Sequence, residues 1–277
     1  MKSFYPILNP VSSLTTSSLS SPVPAGSCAL AVMIKAPRAG ASKTRLVPPL
    51  SPIEAAALSV CFLRDTTNNI AGVAAEGGAS GIAVYTPAGA EAAFDGLLPG
   101  NFSLLLQRGE AFGDRLFYAA EDLLSVGYES LCLIDSDSPT LSPALLAAAV
   151  YSLSRPGDRM VIGPSDDGGY YLIGLKKAHK NLFTNIEWST AQVLSQTIER
   201  AAEINLEVEV LPAWYDVDEA LTLQRLCDEI FSTPNNHDGR EAGYSAPHTR
   251  RFLAELIEAE GRERIWPESV GARAKTV

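Results

Sequence analysis

The chain has 277 residues, 46% of them apolar and 19% charged, with a formal net charge of -10. That suffices for one large domain, or a domain with an appendage; so acidic a balance excludes a general binder of nucleic-acid backbones, although a local basic patch could still hold a small phosphorylated ligand. The four cysteines, Cys28, Cys61, Cys132 and Cys227, are scattered without paired spacing and give no sign of a disulfide scaffold or zinc knuckle.

Residues 1–27 are rich in Ser, Thr and Pro and hold no apolar run long enough for a signal peptide or a membrane span. They read as a flexible leader, and the expected location is the cytoplasm. Residues 29–36, ALAVMIKA, have the pattern of a buried strand, followed by the loop from Pro37 to Ser42 around Gly40. Residues 52–70 predict a helix, with Ser51 as N-cap and Pro52 in the first turn. Strands are expected at 82–86, 103–107, 131–134, 160–163 and 169–175, with helices at 112–125 and from Ser142-Pro143 to about 153. A helix at 190–204, a strand at 207–211 and a helix at 218–230 complete the body.

Alternating strands and helices predict an α/β domain with a mostly parallel sheet covered on both faces. The link between 163 and 169 is too short for a crossover helix, so at least one strand there runs antiparallel or leaves the sheet. The main domain is therefore expected over 28–230. Residues 231–248 have linker composition, and 249–277 hold an amphipathic helix and a tail, with Phe252, Leu253, Leu256 and Ile257 on one helical face. So short a helix must dock, on its own body or on another subunit; docking on its own body is the expectation, and a homo-oligomer is the alternative.

The chemistry concentrates at strand ends. The stretch LCLIDSDSPTL, 131–141, runs a buried strand into Asp135 and Asp137, whose side chains, two apart on an extended segment, point the same way. In an open α/β sheet ligands bind beyond the carboxyl ends of strands, so this pair suits a magnesium or manganese ion shared with substrate phosphates; capping a turn or the next helix is an equally simple role. In PSDDGGYYLIGL, 164–175, Asp166 and Asp167 precede Gly168 and Gly169, which let backbone approach a ligand or turn tightly into a hairpin. Asp216 and Asp218 form a second pair before a helix that Asp218 is placed to cap. Lys35, Arg38, Lys43 and Arg45, with Gly40 and Thr44, cluster in KAPRAGASKTRL after the first strand. Such a loop can wrap a diphosphate, though it lacks P-loop spacing. His179, His237 and His248 have no mutual ligand spacing, so zinc is not expected.

KAPRAGASKTRL, DSDSP, GPSDDGGYYLIGL, LFTNIEWST at 182–190 and DVD at 216–218 occur together in an order that resembles the bacterial DUF2064 proteins, GT-A-like members of the nucleotide-diphospho-sugar transferase superfamily, over about Ala29 to Leu226. The resemblance implies a GT-A-like, Rossmann-like α/β/α fold with a mixed, mostly parallel sheet. It implies a divalent ion, Mg2+ or Mn2+, on Asp135 and Asp137, with Asp218 from the late acidic pair as a further ligand. Lys35, Arg38, Gly40, Lys43, Thr44, Arg45, Gly168 and Gly169 fall on its nucleotide-handling segments. The family usually has Glu where this chain has Asp166, a shorter carboxylate.

The implied activity is transfer of a sugar from a nucleoside-diphosphate donor to a small-molecule acceptor, with Glu187, Asp167 or Asp216 as base. Trp188, beside Glu187, would desolvate that carboxylate. Two alternatives stand beside it: nucleotidyl transfer from a nucleoside triphosphate to a phosphorylated small molecule, and nucleotide-sugar binding without turnover.

Overall fold

The computed structural model describes residues 4–10, 23–24, 26–232 and 242–267. Seven strands of the described residues form one sheet: β1 (Cys28–Lys35), β2 (Ala79–Thr86), β3 (Ser103–Leu106), β4 (Ser130–Ile134), β5 (Arg159–Pro164), β6 (Tyr170–Leu175) and β7 (Glu207–Val210). Their order across the sheet is β3-β2-β1-β4-β6-β5-β7. All neighbours pair in parallel except β6, which is antiparallel to both β4 and β5. The expected antiparallel element is thus β6, joined to β5 by the tight 165–169 turn.

Among the described residues six α-helices cover the sheet: α1 (Pro52–Ala75), α2 (Phe112–Val126), α3 (Pro143–Ser154), α4 (Val193–Glu203), α5 (Ala220–Phe231) and α6 (Pro247–Glu260). Alternation along β1 divides the core. Leu30, Val32 and Ile34 pack with α1, α3, α5 and α6, whereas Ala29 and Ala31 pack with α2 and α4. This is a three-layer α/β/α sandwich with a mixed, mostly parallel sheet.

Several local expectations hold. Ser51 and Glu54 form a reciprocal capping box at α1, with Pro52 at the helix start. The helix continues to Ala75, through Gly72, past the expected end at 70. At the other terminus of α2, Gly127 adopts φ 116 and closes the helix with bonds to Leu123 and Leu124 carbonyls. The four cysteines are free.

Part of the leader is ordered on the body. Tyr5 is buried, its hydroxyl donating to the Leu98 carbonyl at 2.8 Å, and Pro6 and Leu8 exchange backbone hydrogen bonds with Leu104. That segment covers the outer edge of β3, which would otherwise expose unpaired backbone. The rest of the leader at 1–3, 11–22 and 25, the linker at 233–241 with His237, and the tail from 268 lie outside the described residues. Helix α6 docks on its own chain, burying Leu253 and Leu256 in the layer beside α1. No helix among the described residues is long and apolar enough to cross a membrane.

Candidate functional site

Strands β1 and β4 lie side by side, and from β1 the chain proceeds to β2 and β3 on one side but later returns to β4 on the other. The loops leaving their carboxyl ends diverge there and open a cleft. After Lys35 the chain folds on Arg38, whose N–H donates to Ser42 Oγ at 3.0 Å and whose carbonyl accepts from the Ala41 and Ser42 N–H groups.

Lys43 follows with φ 49, at the start of a short 3-10 turn, Thr44–Leu46. Its stem crosses Phe62, with the ammonium 5.3 Å from the ring centre, and its side chain is only 6% exposed. The ammonium lies 2.7 Å from Asp137 Oδ1, 2.7 Å from Asp218 Oδ1 and 2.8 Å from the Val217 carbonyl. An ammonium has three N–H groups, so all are engaged. Burial pulls the Lys43 pKa down, but Asp137 and Asp218 outweigh it and hold the group above the ordinary lysine value.

Asp135 begins where β4 ends, its N–H donating to the Tyr171 carbonyl at 3.0 Å. Its Oδ1 accepts from the Asp137 N–H at 3.2 Å and its Oδ2 from the Ser138 hydroxyl at 3.0 Å. Both donors are neutral. Burial, then the Asp137 carboxylate, push the Asp135 pKa well up; Asp216 adds to this, and the two hydrogen bonds oppose it. Asp216 Oδ1 accepts from the Ser165 hydroxyl at 2.9 Å. Burial, then Asp167, raise its pKa also.

The turn between β5 and β6 fixes Asp167 beside these acids. Asp167 Oδ1 accepts from the Gly169 N–H at 2.8 Å. Gly168 has φ 89, and a Cβ there would come within 2.4 Å of the Ala191 carbonyl oxygen. Only glycine fits both constraints. Asp166 points elsewhere: it pairs with Arg225 at 2.5 Å and ties the turn to α5, where Arg225 stacks over Tyr215.

Two cavities result. The smaller, about 300 Å3, is lined by Lys35, Ser42, Lys43, Thr44 and Arg45 among others. The larger, about 460 Å3, is lined by five carboxylates, Asp135, Asp137, Asp167, Asp216 and Asp218, and by the apolar and aromatic side chains of Met33, Phe112, Leu116, Tyr170 and Trp188 among others. They meet at Arg45, Ser136, Asp137 and Asp218, which line both. Phe112, about half exposed, meets Trp188 edge-to-face, 5.0 Å between ring centres.

The structure thus gathers most of the expected site and redistributes the rest. Arg38, Gly40, Gly168 and Glu187 line neither cavity. Around Glu187 the chain takes positive φ at Asn185 and Ser189, which leaves Trp188 toward the cavity and Glu187 exposed, its N–H held by Gln196 Oε1 at 2.7 Å. Asp218 does not cap α5. Glu219 does so, in a reciprocal box with Thr222, while the Asp218 carboxylate is drawn to Lys43. Lys43 itself is committed to carboxylates. Sequence reasoning missed Ser138 and Ser165, the hydroxyl donors to the half-buried Asp135 and Asp216, and the aromatic wall begun by Phe112; the Ser138 hydroxyl was legible in the DSDS alternation, the others had no local signal.

Among the described residues, no three His, Cys, Asp or Glu side chains are already arranged to hold a metal ion. The donors are nonetheless hard oxygens, and Asp135, raised by burial and then by the Asp137 carboxylate beside it, is a group to whose charged form a cation would add support. Magnesium commonly takes one or two carboxylates and completes its shell with phosphate and water, so the site fits such an ion arriving with a phosphate ligand.

Residues 69–190 match the model of the family described as an uncharacterized protein conserved in bacteria, DUF2064. A protein from Desulfovibrio desulfuricans G20, which carries the provisional name nucleotide-diphospho-sugar transferase, has a crystal structure that aligns over 86% of this chain and 98% of its own, at 30% identity and a TM-score of 0.71. A CMP:2-keto-3-deoxy-manno-octonic acid synthetase complexed with CTP aligns over 72% of this chain and 96% of its own, at 11% identity and TM-score 0.47. A nucleotidyl transfer enzyme from Methanothermobacter thermautotroptrophicus aligns over 73% and 96%, at 15% identity and TM-score 0.46. No curated protein matches the chain in sequence.

Proposed function

The chain belongs to the DUF2064 family, and on that premise we propose that it is a metal-dependent glycosyltransferase moving a sugar from a nucleoside-diphosphate donor to a small acceptor bearing a hydroxyl group. The observation that carries this reading is the meeting of a basic cavity and an acidic, aromatic one at Asp137 and Asp218. A donor laid across that seam has its diphosphate between Lys35, Arg45 and the hydroxyls of Ser42 and Thr44 on one side and the carboxylates on the other. Its sugar then enters the larger cavity.

Asp135 and Asp137, with Asp218, are the residues that would hold Mg2+ or Mn2+. When bound there with the diphosphate, such an ion would neutralise the charge that grows on the leaving phosphate. Arg45 adds a second positive group at the same seam. Asp216 is the base in this reading. Asp216 lines the larger cavity, Ser165 holds its Oδ1, and burial with the neighbouring acids raises its affinity for a proton. It would take the acceptor hydroxyl proton at Oδ2 as the oxygen attacks the anomeric carbon. Asp167, on the same wall, is the second choice; Glu187, exposed outside the cavities, is the third.

The charge pattern also bears on the acceptor. Among the described residues lining the larger cavity, Arg45 is the one Lys or Arg, against five aspartates. A phosphorylated acceptor, as nucleotidyl transfer to a phosphate requires, would face those acids. An uncharged or cationic acceptor with an apolar body suits the Phe112–Trp188 wall better, which favours sugar transfer.

Calorimetric titration of UDP-, GDP- and dTDP-sugars and of GTP and CTP, with manganese or magnesium and then with EDTA, tests the reading. Metal-dependent binding of one sugar nucleotide, lost in the Asp135→Ala Asp137→Ala double variant, is expected. Binding of triphosphates alone would turn the assignment to nucleotidyl transfer, and binding without turnover against any acceptor to a carrier.

A further inference from the structure

Lys43 occupies the place where the two acidic pairs meet. Its ammonium is bonded to one oxygen of Asp137 from the β4 end and one oxygen of Asp218 from the segment before α5, each at 2.7 Å. A divalent ion bridging those carboxylates and the ammonium would compete for the same two oxygens. The third N–H is taken by the Val217 carbonyl, so Lys43 has no donor left for a phosphate.

We propose that Lys43 is a displaceable internal cation: it holds Asp137 and Asp218 against a divalent ion until a diphosphate in the adjoining cavity gives its ammonium another anion. The inference rests on the metal-dependent reading above and adds an order to it. Two geometric facts carry it. Lys43 lines the smaller cavity together with Lys35 and Arg45, and the two carboxylates that its ammonium holds, Asp137 and Asp218, line it as well. Its side chain is held at its end, by the three bonds of the ammonium over the Phe62 ring, and a flexible four-carbon stem can redirect the charge by rotation.

The consequence is reciprocal coupling. A diphosphate that draws Lys43 away leaves Asp137 and Asp218 uncompensated and ready for a divalent ion, and the ion in turn favours the diphosphate by the same factor. Metal without diphosphate must displace a lysine that has no other partner to go to. It therefore binds weakly.

The test is manganese binding, followed by water-proton relaxation enhancement, which singles out manganese on a macromolecule even with pyrophosphate present. Wild type, Lys43→Met and Lys43→Gln are titrated with Mn2+ alone and with Mn2+ and inorganic pyrophosphate. The expected result is weak binding of Mn2+ alone to wild type, tightened by pyrophosphate, and binding to both variants that is roughly tenfold or more tighter without it. Lys43→Gln keeps a donor for the Val217 carbonyl and decides the matter if Lys43→Met does not fold. Variants that bind Mn2+ no tighter than wild type, while wild type takes it up with pyrophosphate, would overturn the displacement and leave the metal reading standing. Enhancement in none of the proteins under either condition would remove the metal reading, and the displacement with it.

Discussion

Asp65, in the middle of α1, caps α6 at Thr249: its two carboxylate oxygens accept the backbone N–H groups of His248 at 3.0 Å and Thr249 at 2.7 Å. The helix cannot cap itself, because Ala246 precedes it and offers no side-chain acceptor. A fully buried carboxylate on one helix thus supplies the N-cap of another far along the chain. Asp65→Ala leaves two N–H groups without their acceptor at a buried joint, and the expected loss is about 1–3 kcal/mol. Denaturant unfolding of the two proteins checks this, and limited proteolysis should release a fragment carrying α6 from the variant first.

The far end of the same appendage is held by Glu54, which accepts from Arg264 Nη2 at 2.7 Å while also closing the capping box on the Ser51 N–H. Burial pushes the Glu54 pKa up, but the Arg264 bond and the bonds from Ser51 together bring it below its ordinary value. The unfolded chain then binds the proton more readily than the folded one. The stabilisation is present above the unfolded pKa of about 4.3 and is lost as pH falls through the lower folded value. Glu54→Gln keeps a capping-box acceptor and removes the charge. It should melt below wild type at pH 7, with the gap closing as the pH drops below about 4. A constant gap across that range would show that the charge contributes nothing.

Where structure depends on neighbours in sequence, the chain was legible. The Ser51–Glu54 box, the halt of β4 at Asp135 and the tight β5–β6 link all follow from residues within a few positions. Pairings between remote segments were not. Lys43 reads as a phosphate cation because its local company is basic, yet its fold partners come from the ends of β4 and the approach to α5. Asp65 reads as one more polar residue within a helix, although it meets a segment near the other end of the chain. Two adjacent acids, Asp218 and Glu219, can each cap α5; Thr222 accepts from both their N–H groups at 3.1 Å, and Glu219 is left as the cap because the Asp218 carboxylate is drawn to Lys43. Left-handed residues at Asn185 and Ser189 invert the facing that a plain extended reading of Glu187 and Trp188 would give.

Gly168 and Gly169 are adjacent and identical in type, yet substitution should separate them. At Gly168 an alanine would need positive φ and would place its Cβ against the backbone of Ala191, 2.4 Å from the oxygen and 2.6 Å from Cα. At Gly169 the nearest atom is Asp167 Oδ1 at 3.1 Å, the end of a side chain that can yield. Gly168→Ala is expected to cost about 1–3 kcal/mol and to loosen the Leu194 N–H bond to the Gly168 carbonyl, now 2.9 Å. Gly169→Ala should cost less in stability but disturb Asp167 directly. Thermal melts rank the two, and donor titration shows which of them alters the cavity.

The Phe112–Trp188 wall gives the last prediction, because it separates the two halves of the proposed reaction. Neither ring lines the smaller, basic cavity, so truncating them should leave the diphosphate subsite intact. Phe112 is about half exposed and Trp188 meets it edge-to-face, an arrangement that presents aromatic surface to whatever enters the larger cavity. Phe112→Ala is the cleaner change, since an exposed ring contributes little to folding. Trp188 also packs on Gly113, but a Cβ there would come within 2.5 Å of the Phe183 carbonyl oxygen as well as 2.9 Å of the indole nitrogen, so Gly113→Ala would strain the backbone and is no clean probe of the wall. For an acceptor seated on this wall, Phe112→Ala should raise the acceptor KM about tenfold while donor affinity, read by calorimetry, stays within error. Equal losses in donor and acceptor binding would instead place the wall against the donor sugar, and no change in either would remove it from the site.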